Sequence, residues 1–145
     1  MSTLLSAGLC LALAGLNSAY PPADAQAQAF VPGHHFTLAW THSIEKIRWE
    51  EDYTVHASAA ERPRLSLDSA RVQGSGAGME PPEDAKLVNG WYAYTPQGTL
   101  PPALRLTRSP YTGDYTLCAE GLCQPMSYWL ASDGGVTLMW PCSRP

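Results

Sequence analysis

The sequence predicts an all-β domain, a single small sandwich or barrel of about seven to eight mostly antiparallel strands. Short runs in which apolar and polar residues alternate predict the strands, and no window shows sustained helical periodicity. Turn-forming residues are frequent between these runs, since 12 of the 145 residues are Gly and 13 are Pro. A chain of this length is sufficient for one domain with a hydrophobic core.

The clearest predicted element is a β-hairpin over residues 35–55. Its two apolar faces consist of Phe36, Leu38, Trp40 and His42 on the first strand and Ile47, Trp49, Glu51, Tyr53 and Val55 on the second. A turn at residues 44 and 45 aligns Trp40 with Trp49 and brings both apolar faces to the same side. A slip of one residue would expose both tryptophans, so the pattern favours this register.

Further strands are predicted downstream, at residues 64–72, 87–95, 104–108, 115–119, 122–130 and 136–140. In the strand at residues 64–72, alternation places Ser69 on the same face as Leu65 and Leu67. The segment at residues 87–95 is interpreted as one aromatic strand with a glycine kink. Residues 73–84, rich in Gly and Pro, are predicted to be the longest irregular segment.

The N-terminal segment has the length and composition of a signal peptide. Residues 4–16 form an apolar run that is too short to span a bilayer comfortably. Small residues at positions 25, 27 and 29 predict cleavage after residue 27 or 29, with residues 1–29 as the signal peptide and residues 30–145 as the single domain. Because no Lys or Arg precedes the apolar run, retention as a membrane anchor is the alternative. Both interpretations predict a periplasmic or otherwise exported protein.

An exported chain can keep disulfide bonds. Cys118 and Cys123 flank a predicted two-residue turn at Glu120 and Gly121, which sets the two cysteines opposite each other at a non-hydrogen-bonded position. The sequence therefore predicts a disulfide between them, worth about 2 kcal/mol by loop entropy. The fate of Cys142 stays open between pairing with one of these two and a free thiol.

Composition and motifs exclude several functions. The net charge is −4 without a basic cluster, so no nucleic-acid partner is predicted. Residues 43–46 match a Ser-x-x-Lys signature, but they form a turn rather than the helix that this chemistry requires. His42 and Ser43 are adjacent on a strand and point to opposite faces. No catalytic residue and no cofactor are therefore predicted.

His42 and Glu51 are the first candidates for a binding site, because both are polar residues on an apolar face. A carboxylate between Trp49 and Tyr53 has to find an arginine, a backbone N–H group or water, or else its pKa rises. The available guanidinium partners are Arg71, Arg105 and Arg108. A structural polar network under the sheet and a ligand pocket are both compatible with this pattern, and a catalytic role is the third interpretation.

A glycine-rich loop and four histidines complete the candidates. Ser75, Gly76 and Gly78 lie in a loop that is followed by neither a helix nor a lysine, which argues against phosphate binding and leaves an anion-binding nest or a tight bend. All four histidines fall between His34 and His56 without His-x-His spacing, so no metal site is assigned.

Several segments resemble a bacterial family of domains of unknown function, number 1850. They are Trp-Thr-His-Ser-Ile-Glu at residues 40–45, Trp-Glu-Glu-Asp-Tyr at 49–53, Ser-Gly-Ala-Gly at 75–78 and Gly-Trp at 90–91. The resemblance spans roughly residues 36–140, although the cysteines from residue 118 onward are not part of its pattern. It implies a small exported or anchored protein without established activity, often encoded beside tripartite (TRAP) transporters of the TAXI type.

The sequence and the resemblance together favour a non-enzymatic periplasmic binding or accessory domain that serves a solute transporter. Its expected partners are a membrane transporter or a small organic ligand, and its binding surface would comprise His42, Ser43, Glu51, Ser75, Gly76 and Gly78. Two alternatives stay open. One is a small periplasmic hydrolase that uses His42 and Glu51, and the other is a periplasmic copper- or zinc-binding protein that uses the histidines near residue 34.

Overall fold

The computed structural model describes residues 5–16, 20–42, 46–74 and 84–145. Within these residues the chain is all-β, with eleven strands in two antiparallel sheets and no α-helix. The two sheets form a sandwich and do not close into a barrel, which confirms the predicted fold class. The strand count exceeds the prediction because β1 and β2 form within residues 6–32, where no strand was predicted, and because residues 86–94 form two strands instead of one.

The small sheet has four strands in the order β2-β1-β11-β8. Its strands are β1 (Ser6–Leu13), β2 (Ala29–Pro32), β8 (Leu104–Thr107) and β11 (Val136–Arg144). The large sheet has seven strands in the order β10-β9-β3-β4-β5-β7-β6. Its strands are β3 (His35–Thr41), β4 (Arg48–His56), β5 (Arg64–Gln73), β6 (Lys86–Val88), β7 (Trp91–Tyr94), β9 (Thr116–Ala119) and β10 (Leu122–Pro125).

Strand β1 is an internal strand of the small sheet, although its residues lie in the predicted signal peptide. It pairs along its whole length with β11 and over four residues with β2. Gly8 lies so close to β2 that an added Cβ would be 2.3 Å from the carbonyl oxygen of Val31. A cut after residue 27 or 29 would remove this strand. The cleavage itself stays a prediction.

Two disulfides are present, and only one is the predicted bond. Cys118 pairs with Cys123 across the hairpin, which confirms that prediction. Cys142 pairs with Cys10 of β1, with a Cα–Cα distance of 5.9 Å. Both alternatives considered for Cys142 are therefore wrong. Cys10 was not expected as its partner, because Cys10 lies in the segment that the predicted cleavage would remove.

The hairpin of β3 and β4 has the predicted register. Trp40 lies opposite Trp49, and Leu38 lies opposite Glu51. The backbone N–H of His42 donates to the carbonyl of Ile47 at 2.8 Å, which extends the pairing toward the turn. The turn residues 44 and 45 lie outside the described residues.

A β-bulge corrects the predicted faces of β5. The register against β4 shifts between Asp52 and Tyr53, so no residue of β4 lies directly opposite Asp68 in the sheet. An extra residue in one strand reverses the alternation beyond it. Ser69 therefore lies on the outer face opposite Asp52, and Ala70 lies on the inner face opposite Glu51.

Two predicted strand boundaries are also corrected. Asn89 and Gly90 have φ angles of 50° and 84°, so a tight turn separates β6 from β7 where a single kinked strand was expected. The predicted strand at residues 122–130 ends at Pro125, and Met126–Tyr128 forms a 3₁₀ turn. The N–H of Trp129 closes this turn by donating to the carbonyl of Met126 at 2.9 Å.

The core lies between the sheets, and a second apolar cluster covers the other face of the small sheet. The buried residues between the sheets include Leu9, Leu11, Val31, Phe36, Leu38, Leu117 and Met139. The second cluster contains Cys10, Ala12, Ala103, Leu138, Trp140 and Cys142. Strand β1 contributes to both, so it is buried on both faces. Among the described residues, no helix has the length and apolar character needed to cross a membrane.

Candidate functional site

An open cleft of about 460 Å³ lies where β3 ends. Three aromatic side chains, four hydroxyl side chains and one imidazole line it: Trp40, Tyr111, Tyr115, Thr41, Thr107, Ser109, Thr112 and His42. Of the residues that the sequence singled out for binding, the cleft contains His42. Ser43 and the loop residues Ser75, Gly76 and Gly78 lie outside the described residues.

Cross-strand pairing builds the aromatic wall of the cleft. Trp40 is stacked on Trp49, with ring centroids 6.1 Å apart and planes within 5° of parallel. Tyr115, which precedes β9, lies against the Trp40 ring at 5.8 Å with the planes tilted by 57°. Because β9 pairs with β3, this contact follows from the sheet order. No local sequence pattern points to Tyr115, since pairing between strands about 80 residues apart leaves no local signal.

A buried arginine holds the loop that carries Tyr111 and Tyr115. Arg108 is 3% exposed and donates to both carboxylate oxygens of Asp114 at 3.0 Å. It also donates to the hydroxyl of Thr137 on β11 at 3.1 Å. Asp114 in turn accepts the backbone N–H groups of Tyr115 and Ser127. Arg108 therefore positions the cleft wall, and it is not the partner of Glu51 that the sequence offered.

Glu51 lies on the inner face without an arginine partner among the described residues. It accepts a hydrogen bond from the Tyr53 hydroxyl at 2.9 Å. Burial raises the pKa of the Glu51 carboxyl, and the hydrogen bond from Tyr53 opposes this rise only in part. Of the outcomes that the sequence allowed for a carboxylate at this position, a raised pKa is the one found.

The neighbouring acids on β4, Glu50 and Asp52, have lowered pKa values, in contrast to Glu51. Arg71 donates to Glu50 and to Asp52 at 2.7 Å each, on the outer face of the large sheet. Thr37 and Ser69 also donate to Asp52 at 2.7 Å. Burial, the largest single influence, works to raise both pKa values, but the hydrogen bonds and charges of Arg71 and its neighbours outweigh it and lower them.

The structure does not bring His42 and Glu51 together as an acid–base pair. Leu38 lies opposite Glu51, and it is four residues from His42 along the strand. At the usual strand rise this separation is about 13 Å. Glu51 instead forms its hydrogen bond with Tyr53.

The other three histidines occupy separate surroundings. The backbone N–H groups of His34 and His35 both donate to the Glu120 carboxylate, at 2.6 and 3.0 Å. The ring of His56 is hydrogen-bonded to the Ser66 hydroxyl at 2.7 Å. Within the described part of the chain, no group of three or more His, Cys, Asp or Glu side chains has an arrangement that could hold a metal ion.

The comparisons with known proteins place the chain in a family. A family model described as a domain of unknown function (DUF1850) matches residues 36–126, which is more than half of the chain. No curated protein and no solved structure matches the chain. The matched region contains the β3–β4 hairpin, Glu51 and the aromatic residues of the cleft. The chain therefore belongs to the DUF1850 family.

Proposed function

We propose that this chain is a non-enzymatic binding domain of the periplasm or another exported compartment, and that it holds a small organic ligand in the cleft beside His42. The observation that carries the proposal is the meeting of Trp40, Tyr115 and His42 at one open end of the sandwich. Aromatic rings provide apolar contact area, and an imidazole and several hydroxyl groups provide directional hydrogen bonds.

The size and lining of the cleft support this choice. Its volume of about 460 Å³ lies within the usual range of small-molecule sites. A larger groove of about 730 Å³ runs beside Gly33 and Ala7. Its described lining contains one imidazole, that of His34, and three serine hydroxyls, but no Phe, Tyr or Trp. The smaller cleft thus offers more groups that could recognise a ligand.

Two further observations support the compartment and the partner. The disulfides Cys10–Cys142 and Cys118–Cys123 are typical of proteins that fold in an oxidising environment outside the cytoplasm. A role as an accessory to a TRAP-type solute transporter is supported by the family resemblance alone. In that role, the ligand would be a transported solute or a related small molecule.

Thermal denaturation of the purified chain with a panel of organic acids and amino acids tests the proposal. A ligand that binds only the folded state raises the unfolding free energy by about 2.7 kcal/mol at 100 times its Kd, so the melting temperature rises by several degrees. We expect a small subset of the panel to produce this rise. A panel that leaves the melting temperature unchanged contradicts the proposal.

A matched pair of tyrosine variants locates the binding site. Tyr111 lines the cleft and is 93% exposed, so Tyr111→Ala should weaken binding about tenfold, as expected for one lost aromatic contact, without changing the stability of the unliganded protein. Tyr128, an exposed tyrosine that does not line the cleft, provides the control variant Tyr128→Ala. Equal binding by both variants would place the ligand elsewhere.

A further inference from the structure

A second pocket, with a volume of about 210 Å³, lies apart from the cleft beside His42. It is bounded by the segment before β2, the end of the β4–β5 loop with the start of β5, the loop before β8 and the middle of β11. None of its lining residues is shared with the cleft. A ligand in this pocket would therefore bind independently of a ligand in the cleft.

The wall of the pocket is mostly apolar. Leu65 and Leu100 contribute aliphatic side chains, and the nearly buried ring of Trp140 completes the apolar surface. Half of the ten described lining residues are prolines, namely Pro21, Pro63, Pro101, Pro102 and Pro141. Proline has a fixed φ and no backbone N–H, so these positions are restrained before binding and offer a ligand ring contacts but no hydrogen-bond donor.

The two charged residues in the described lining are both arginines, Arg62 and Arg64. Arg62 Nη2 is 3.6 Å from Asp24 Oδ1, and Trp140 Nε1 donates to the same oxygen at 3.0 Å. The Arg62 guanidinium therefore lies beside the indole of Trp140.

The guanidinium of Arg62 is available to a ligand. Its side chain is 65% exposed, and its contact with Asp24 is longer than a hydrogen bond, so its N–H groups are largely unused. The side chain of Arg64 forms no hydrogen bond or ion pair in the described part of the chain. Two guanidiniums and the one carboxylate of Asp24 leave a net positive charge among these three side chains.

We propose that this pocket binds a small aromatic carboxylate, whose ring lies against the prolines and leucines and whose carboxylate pairs with the Arg62 guanidinium. A cavity of about 150 Å³ can hold a benzene ring. The larger volume here leaves room for the atoms that join the ring to the carboxylate. A guanidinium matches the two oxygens of a carboxylate, and no described lining residue is an acid that could attract a cationic ligand instead.

Calorimetric titration of the purified chain at pH 7 with phenylacetate is the test, with phenylacetamide and acetate as comparison ligands. Phenylacetamide has the same ring without the charge and should bind about fivefold more weakly, the upper end of the range for an exposed ion pair. Acetate lacks the ring and should not bind at the concentrations at which phenylacetate does. Phenylacetate should also shift the indole NMR signal of Trp140, because that N–H shares Asp24 with Arg62.

A matched pair of arginine variants isolates the contribution of Arg62. Arg62→Gln should weaken phenylacetate binding about fivefold and leave phenylacetamide binding unchanged. It should fold normally, because Arg62 is largely exposed and Asp24 keeps its hydrogen bond from Trp140. Arg105→Gln removes the same charge from an exposed position on β8 that lines neither the pocket nor the cleft, and it should bind as the wild type does.

The outcomes separate the second pocket from the cleft. Phenylacetate binding that is weakened by Arg62→Gln and unchanged by Tyr111→Ala supports the second pocket. Binding that is lost in Tyr111→Ala and kept in Arg62→Gln overturns the second pocket and supports the proposed function. Equal binding of phenylacetate and phenylacetamide, or no binding of phenylacetate, also overturns the carboxylate site and leaves the cleft to the thermal denaturation panel.

Discussion

Strands β1 and β4 are both internal strands of their sheets, but their surroundings differ. Leu9, Cys10, Leu11 and Ala12 of β1 are fully buried, so both faces of that strand contact apolar residues. Strand β4 has an inner apolar face and an outer face where Arg71 pairs with acids. Apolar packing on both faces and a disulfide hold β1. Apolar packing on the inner face and a charge network on the outer face hold β4.

This difference explains why one strand was predicted and the other was not. A strand with one solvated face alternates between apolar and polar residues, which is the pattern of residues 48–56. A strand that is covered on both faces has a continuous apolar run instead. Such a run at the N-terminal end of a sequence is also the pattern of a signal peptide. The predictions below test this comparison. The variants come first, in order of decreasing expected effect, and the pH response of the outer face follows.

Removal of residues 1–29 should abolish cooperative folding. The loss includes two leucines that are fully buried between the sheets, each worth about 1.5–3 kcal/mol, together with the pairing to β11 and the disulfide to Cys142. A typical domain has only about 5–15 kcal/mol of stability in total. Circular dichroism and thermal denaturation of the truncated chain provide the measurement. A truncated chain with an unchanged transition would show that β1 is dispensable, and sequencing the N terminus of the native protein would then decide the cleavage.

The two disulfides should differ in their contributions. Cys10 and Cys142 are separated by 132 residues, whereas Cys118 and Cys123 are separated by 5. Loop entropy gives about 5 kcal/mol for the long loop and about 2 kcal/mol for the short one. Urea denaturation of the Cys10→Ser/Cys142→Ser and Cys118→Ser/Cys123→Ser double variants should show this order. The reverse order would contradict the central role assigned to β1.

Arg71→Met should lower the unfolding free energy by about 2 kcal/mol, because it leaves Glu50 and Asp52 without their shared partner in a half-buried site. Arg48→Met is the matched control. The Arg48 side chain is more exposed and, among the described residues, pairs with Glu50 alone, so its loss should cost less than about 1 kcal/mol. If urea denaturation gave equal effects for the two variants, the Arg71 network would contribute no more to stability than the single Arg48–Glu50 pair.

Glu51→Gln should have the smallest effect, a gain of up to about 1 kcal/mol at pH 7. The folded-state pKa of Glu51 is raised above its ordinary value of 4.5, so the fold disfavours the charged form. That penalty is present above the raised pKa and disappears below pH 4.5, where both states are protonated. The difference between variant and wild type should therefore vanish by about pH 3. A variant that is destabilised at pH 7 would mean that the charge of Glu51 has a partner.

The acids on the outer face should respond to pH in the opposite direction. The pKa values of Glu50 and Asp52 are lowered in the fold, so their contribution to stability is present above about pH 4.5 and is lost as the pH falls further. The wild-type protein and Glu51→Gln share this loss. Their difference at each pH consequently reports on the inner face alone.

Local patterns in the sequence determined the all-β class, the register of the β3–β4 hairpin and the Cys118–Cys123 bond. Each depends on residues that are close in the chain, where alternation, turn chemistry and cross-strand pairing are visible as spacing. The same patterns also identified Glu51 as a carboxyl on an apolar face, with a raised pKa as one expected outcome.

Only the tertiary structure decided which apolar run becomes a strand, which cation pairs with which acid and what lines the cleft. Cys10 meets Cys142 and Tyr115 meets Trp40 because distant strands are neighbours in the sheets. The bulge at Asp68 assigns Ser69 to the outer face by reversing the alternation there. The disulfide, the aromatic contact and the bulge have the same physical reason. Burial and pairing depend on which surfaces pack together, and sequence spacing carries that information only between residues that are near each other along the chain.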